Sequence, residues 1–298
     1  MRRAFLASAC VLSLVVAAPG FAAVYSDQDG HTVNVLAPSL PADPARDQAY
    51  VDKLGSYVHG AEMSLLTVNL AADQAELVAR CGDGAAGCYR PGENTLFVPG
   101  YRTPEQLRVL LAHEFGHHIA NHRVNPPGSA LAQGTKRWAT YEGVCAGLAS
   151  GQYGTAYENS PGEAFAHAYA MIANPDQIQF WFFDDVFRPD QQALSLISED
   201  VLTPWTAATA TTIKGKVKRK GKPARKTIEL PLDGELEASL KPSRKLRKPK
   251  LSLEVAGQTV AAAGKPQTLD YEVCGARMAK LVVRAKTKGR FKIALSRP

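Results

Sequence analysis

The stretch His113-Glu114-Phe115-Gly116-His117 decides how the rest of the chain is read. Imidazoles four residues apart on an α-helix sit about 40° apart around its axis and about 6 Å apart along it. Both therefore reach one metal ion from the same face. Glu114, about 100° further round the helix, is placed to hydrogen-bond a water held at the ion's open position. These residue types at this spacing are those of a two-histidine zinc site with a carboxylate general base. The competing reading is a buried helix whose histidines only hydrogen-bond.

The flanking residues favour the metal. Thr103-Pro104-Glu105-Gln106 supplies an N-cap, a proline at the first helical position and a capping-box partner. A helix is expected from 104 to about 123, stopped by Asn125-Pro126-Pro127-Gly128. Leu107, Leu111, Phe115 and His118 make one stripe of it, and Leu110, His113, His117 and Ala120 the next. His118 and His122 repeat the i,i+4 spacing, but Ile119 occupies the base position between them. Supporting or surface roles suit them better than ligation.

A catalytic zinc takes three protein ligands and keeps one position open. Glu142, Glu158 and Glu163 are the downstream carboxylates, with His167 as a nitrogen alternative. Glu163 is best placed, at the start of a helix over 163–172 that Ser160-Pro161-Gly162 opens and Asn174-Pro175 closes. Ser160 and Glu163 also satisfy a capping box, a role that needs no metal.

The chain opens Met1-Arg2-Arg3, continues through an apolar stretch over 4–18 and reaches Pro19-Gly20-Phe21-Ala22-Ala23. That order describes a cleavable secretory leader over 1–23, cut after Ala22 or Ala23. No later segment approaches a membrane span. The mature protein is expected to be soluble and secreted, extracellular or periplasmic. Cys10 leaves with the leader, so Cys81, Cys88, Cys145 and Cys274 remain, enough for two disulfides in an oxidising compartment. The glycine-rich loop over 82–87 lets Cys81 and Cys88 meet, which leaves Cys145 for Cys274. Four free buried thiols are the alternative. No Cys-x-x-Cys spacing indicates a structural zinc site.

Charge divides what is left. Residues 214–298 carry 23 Lys+Arg against 7 Asp+Glu, a net +16. The whole chain is +7, so residues 1–213 carry −9. An acidic body over 24–205 is therefore expected to be joined to a basic unit over 206–298. In the body the expected elements are helices over 44–58, 72–80 and 140–149, a buried strand over 61–70 and a strand over 94–98. The aromatic run Phe180-Trp181-Phe182-Phe183-Asp184-Asp185 reads as core packing rather than a ligand patch. Beyond 206 the pattern changes to period two, with strands over 227–232, 251–255, 269–273, 279–285 and 291–296. This predicts a small all-β sandwich or barrel.

The first helix, with Asn159-Ser160-Pro161-Gly162-Glu163-Ala164-Phe165-Ala166-His167, resembles the glutamate-zincin (gluzincin) metallopeptidases. More narrowly, it resembles their short, often secreted or toxin-associated members carrying N-P-x-E-x-F-A-E. The resemblance spans about 81–174. It implies an α+β fold with a zincin-like catalytic domain, Zn²⁺ as cofactor, a protein or peptide substrate and Glu163 as third ligand. It also implies an edge strand before the motif helix that extended substrate joins. The run over 88–98 is the candidate, with an ordinary edge strand as the alternative. Three departures stand out. Ser160 replaces the family's frequent asparagine, and His167 replaces the acid that supports the ligands. Ala156 stands where the catalytic tyrosine often lies, with Tyr157 one residue on. Tyr157 and His167 are the candidates to stabilise the oxyanion, and His167 also to orient a ligand.

The expected mechanism has His113, His117 and Glu163 holding zinc while Glu114 moves the water proton to the departing amine. The basic unit can bind anionic cell-surface polymers, acidic surfaces or DNA, or dock on the acidic body itself; no specific nucleic-acid role is expected, since phosphate attraction alone carries no sequence preference. Two rivals remain: a non-catalytic binding protein on a zincin fold, and a membrane-linked peptidase. Intact Glu114 counts against the first, and the missing spans count against the second.

Overall fold

Val33, Val35 and Ala37 alternate inward along β2 (Thr32–Ala37), which pairs antiparallel with β1 (Phe21–Ser26) and begins the first sheet. The computed structural model describes residues 21–123, 133–178, 181, 183–264 and 267–298. Most of the expected leader, Cys10, the helix stop over 125–128, and Phe180 and Phe182 lie outside the described residues. β1 itself begins at Phe21, within the expected leader.

Asp43 accepts the Arg46 N–H and opens α1 (Pro44–Gly55), with proline in the first turn. A 3₁₀ turn over Ala61–Leu65 then leads into β3 (Thr67–Ala71). The expected strand over 61–70 is thus strand only in its second part. Glu62 is the reason: its carboxylate accepts the Gly60 N–H and pairs with the buried Arg123 guanidinium at 3.0 Å, which curls the backbone. Asp73 caps α2 (Gln74–Cys81), and the chain returns through β4 (Cys88–Arg90) and β5 (Thr95–Pro99). The sheet order is β1-β2-β3-β5-β4, parallel through β2, β3 and β5 and antiparallel at both edges.

Helices α3 (Arg108–Asn121), α4 (Lys136–Tyr141), α5 (Val144–Ser150), α6 (Pro161–Ala173) and α7 (Gln191–Leu202) complete this part. The single helix expected over 140–149 is two, because Gly143 adopts a left-handed φ of 65° between them. Leu111, Phe115 and Ile119 of α3 join Tyr50, Leu54, Val68, Leu96, Phe165 and Tyr169 in one core.

Within that core, His118 is fully buried, its Nε2 donating to the Glu62 carbonyl at 2.9 Å and its Nδ1 3.1 Å from the Tyr89 hydroxyl. His122 contacts Asn94 Oδ1 at 3.0 Å. Both roles are structural. Burial pushes the His118 imidazole down to about 4. Below pH 6.5 the unfolded chain therefore binds a proton that the folded one refuses, and stability is lost as pH falls from 6.5 towards 4. The loss from this group approaches about 3 kcal/mol. Urea unfolding at pH 7 and pH 4.5 should show it, and His118→Gln should remove most of the difference.

From Thr209 the chain is all strand: β6 (Thr209–Val217), β7 (Ala224–Leu230), β8 (Gly234–Pro242), β9 (Lys250–Val255), β10 (Gln258–Ala262), β11 (Thr268–Val273), β12 (Arg277–Arg284) and β13 (Gly289–Arg297). They form two antiparallel sheets, β10-β9-β12-β7 and β11-β8-β13-β6. Leu253 and Leu281 of one face Leu236, Ala238 and Ile293 of the other across a shared core, the expected sandwich. β6, β8 and β10 are not among the expected strands, because their outward lysines, glutamates and threonines conceal the alternation.

The all-β part is joined to the helical part at α4 and α5. Both expected disulfides, Cys81–Cys88 and Cys145–Cys274, are present, so the four cysteines are not free thiols. Beside the second, the Asp233 N–H donates to Thr140 Oγ1 at 3.0 Å. Lys136 is buried there, its ammonium 4.6 Å from the centre of the Trp205 ring, and burial pushes its pKa down to about 8. Between pH 8 and 10.5 the unfolded state binds more protons, so this group's contribution to stability rises with pH across that window. Lys136→Met should flatten that rise in melts at pH 7.5 and 9.5. Both measurements stay below pH 10, above which Tyr89, pushed up by burial to about 12, acts in the opposite direction.

Candidate metal centre

The first turn leading into α3 is tied as a reciprocal box: Thr103 Oγ1 accepts the Gln106 N–H at 3.3 Å, and Gln106 Oε1 accepts the Thr103 N–H at 3.0 Å. With its apolar face in the core, the helix turns His113 and His117 towards a cleft. Their rings meet edge-on with centroids 4.9 Å apart. Opposite them stands α6, which Ser160 caps by accepting the Glu163 N–H at 3.4 Å. Only that half of the expected capping box forms. The Ser160 N–H donates instead to the Tyr157 carbonyl, and the Glu163 carboxylate turns towards the imidazoles.

Glu163 Oε2 lies 3.1 Å from His113 Nε2 and 3.4 Å from His117 Nε2. A proton or a cation must separate an imidazole nitrogen from a carboxylate oxygen at such distances. Ligand atoms bonded at 2.0–2.1 Å around a tetrahedral ion lie about 3.3–3.4 Å apart, so the observed spacing fits one zinc-sized ion. The charges agree with that polarity. Burial pushes the Glu163 carboxyl up, but the two imidazole hydrogen bonds outweigh it and hold the group well below the carboxylate range. Burial likewise pushes His117 down, while Glu163 and the charge of Glu114 more than reverse this.

These groups line a cavity of about 730 Å³. Glu114 is 8% exposed and faces the same space. One wall is α3, from Val109 to Asn121, and the other is the loop from Gly84 to Tyr89, which the Cys81–Cys88 disulfide closes. β4 starts on that wall, and on its outer side no strand follows in the sheet among the described residues. The candidate edge strand is therefore β4; β5, the other part of the expected run, is interior and buried throughout.

Tyr157 and His167 complete the lining. Tyr157 is half-exposed and packs on Phe183 at 5.2 Å; burial, then the charges of Glu163 and Glu114, push its hydroxyl pKa up, so it stays a donor. His167 is buried, its ring 6.2 Å from that of His113 and packed against Trp181 and Phe183. The described aromatics of the 180–185 run thus pack as expected, around a cavity residue. Glu142 and Glu158 do not gather with the two histidines among the described residues. Burial, then the Asp190 charge, push the Glu142 carboxyl up to about 7.

Comparison with known proteins finds no matching family model and no similar curated protein. The residues themselves carry the argument.

One contributor is not singled out by the motif spacing. Gly116 lies against α6, where an added Cβ would stand 2.9 Å from Ala166 Cα and 3.2 Å from its carbonyl oxygen. Only glycine lets the two helices approach closely enough for Glu163 to reach both imidazoles. Its signal was the small residue inside the motif, on the face that leads to the next helix. Gly116→Ala should cost about 1–3 kcal/mol through overpacking and weaken any metal binding at His113, His117 and Glu163 with all three side chains intact. Thermal melts and zinc titration against a competing chelator will check both.

Proposed function

We propose that the protein is an exported zinc-dependent peptidase of the gluzincin type, with a zincin-like catalytic part. The observation that carries the reading is the meeting of His113 Nε2, His117 Nε2 and Glu163 Oε2 from two helices, within 4.8 Å of one another, beside Glu114. Two imidazoles and one carboxylate are a catalytic zinc donor set. When bound, the ion supplies a Lewis acid that lowers the pKa of a water and polarises a carbonyl.

The chain's own residues do the rest. Glu114 accepts the proton of the attacking water and passes it to the departing amine. Tyr157 donates a hydrogen bond to the oxygen on which negative charge develops. His167 helps to orient the His113 ring, against which it packs. An extended peptide adds to the edge of β4, which presents its scissile bond to the cavity. Chelation should abolish cleavage of an unfolded protein substrate, and zinc should restore it. Cleavage that persists in the metal-free protein would refute the assignment.

A second reading has one observation in its favour. Lys216, Lys218, Arg219, Lys222, Arg225 and Lys226 gather where β6 crosses to β7 in the other sheet, with the cationic side chains exposed. This surface suits anionic cell-surface polymers. It could serve a non-catalytic attachment protein as well as a peptidase held near its substrate. The two disulfides suit an oxidising compartment, and no helix among the described residues is long and apolar enough to cross a membrane.

A further inference from the structure

A second set of ligand-type side chains lies at the turn joining β1 to β2. The Asp27 side chain is fully shielded from solvent. Its Oδ1 accepts the backbone N–H groups of Asp29 at 2.9 Å and His31 at 2.8 Å, which fixes the rotation of the carboxylate. Its Oδ2 is thereby aimed at two imidazoles, 3.1 Å from His31 Nδ1 and 3.1 Å from His59 Nε2. Asp29 Oδ2 stands 3.8 Å from the same His59 nitrogen.

The other side of His59 decides what belongs between these atoms. His59 Nδ1 lies 2.7 Å from the Tyr57 carbonyl, which can only accept, so Nδ1 carries a proton. A neutral His59 then turns the Nε2 lone pair directly at the Asp27 carboxylate. Two lone pairs at 3.1 Å repel unless something positive lies between them. Protons would satisfy the set only by charging His59 or by neutralising the Asp27 carboxylate, in either case with His31 donating to the same oxygen. One divalent cation satisfies all four groups together.

The distances agree. Ligand atoms of a tetrahedral zinc lie about 3.3–3.4 Å apart, and the three nearest pairs of this set lie 3.1 to 3.8 Å apart, with all four ligand atoms within 4.8 Å of one another. Two imidazole nitrogens and two carboxylate oxygens suit zinc among the common divalent ions. We propose that Asp27, Asp29, His31 and His59 form a second zinc site. Four protein ligands leave no position for water, so the site is structural. Gly55 shows how closely the chain is drawn in, since an added Cβ would stand 2.7 Å from Asp27 Cβ. The His59 ring packs at 6.5 Å on Phe115, the residue midway between His113 and His117. The site therefore ties the β1–β2 turn to the segment after α1 and braces the motif helix from behind. Asp29 and His31 are partly exposed, which gives an ion a way in.

Full-length protein stripped of metal and titrated with Zn²⁺ should take up two equivalents. The Asp29→Asn, His31→Gln variant should take up one, and His113→Ala should also take up one. A single wild-type equivalent that His113→Ala removes would overturn the proposal. So would two wild-type equivalents that both survive Asp29→Asn, His31→Gln. A single equivalent that survives His113→Ala but not Asp29→Asn, His31→Gln would uphold this site and refute the ion at the cavity, so the two readings fail separately. Should the double variant not fold, X-ray absorption of zinc-loaded His113→Ala decides the matter. The proposal requires four nitrogen and oxygen neighbours with two imidazoles, and a six-oxygen shell would overturn it.

Discussion

Glu114→Gln is expected to leave zinc bound and to lower peptide hydrolysis by about 10²–10⁴-fold, the range that a positioned general base contributes. Glutamine keeps the shape and the hydrogen bonds of the side chain but cannot take a proton. Glu114 faces the cavity and belongs to no ligand set, so metal content should remain that of the wild type. The loss should fall on kcat more than on KM, because the interaction lies at the reacting atoms. Retention of most wild-type cleavage would remove Glu114 from the mechanism and leave the cavity without a base.

Glu163→Ala separates two roles that the sequence alone could not. The cap of α6 consists of the Ser160 hydroxyl and the backbone N–H of residue 163, and alanine keeps both. Helix stability should therefore change little. Zinc affinity should fall by well over 100-fold, because loss of a mere partner of a metal ligand already costs 10–100-fold, and two imidazoles alone hold the ion poorly. Activity should fall with it. If metal content stays stoichiometric while only the melting temperature drops, Glu163 is a capping residue. The centre would then need another third ligand, and neither Glu142 nor Glu158 is gathered at the histidines to supply it.

What was legible in the sequence was local. The His113–His117 spacing, the Thr103 box and the Ser160 cap each rest on positions three or four apart, and helical geometry turns such spacings into shared faces. The Cys81–Cys88 bond was equally local. The change from helix to strand was legible in its period: α7 ends at Leu202 and β6 begins at Thr209. Contacts between distant segments were not legible. Nothing near Gly116 announces Ala166, and nothing in Asp27, Asp29 and His31 announces His59, which arrives only after α1. The turn at 61–65 was missed for a related reason. It depends on Arg123, which pairs with Glu62 from the far end of α3. Tyr157 shows the limit of a motif read by position. It stands one residue from where the family resemblance places its tyrosine, yet it lines the cavity beside Glu163.

The most direct test of the central claim is digestion of an unbiased peptide library in H₂¹⁸O, with the zinc-loaded and the metal-stripped protein compared by mass spectrometry. If the protein is a zinc peptidase, new fragments appear only with the loaded protein, and each new carboxylate carries one ¹⁸O from the attacking water. A zinc-loaded protein that leaves the whole library intact, with Glu114 in place, would contradict the assignment and favour the attachment role.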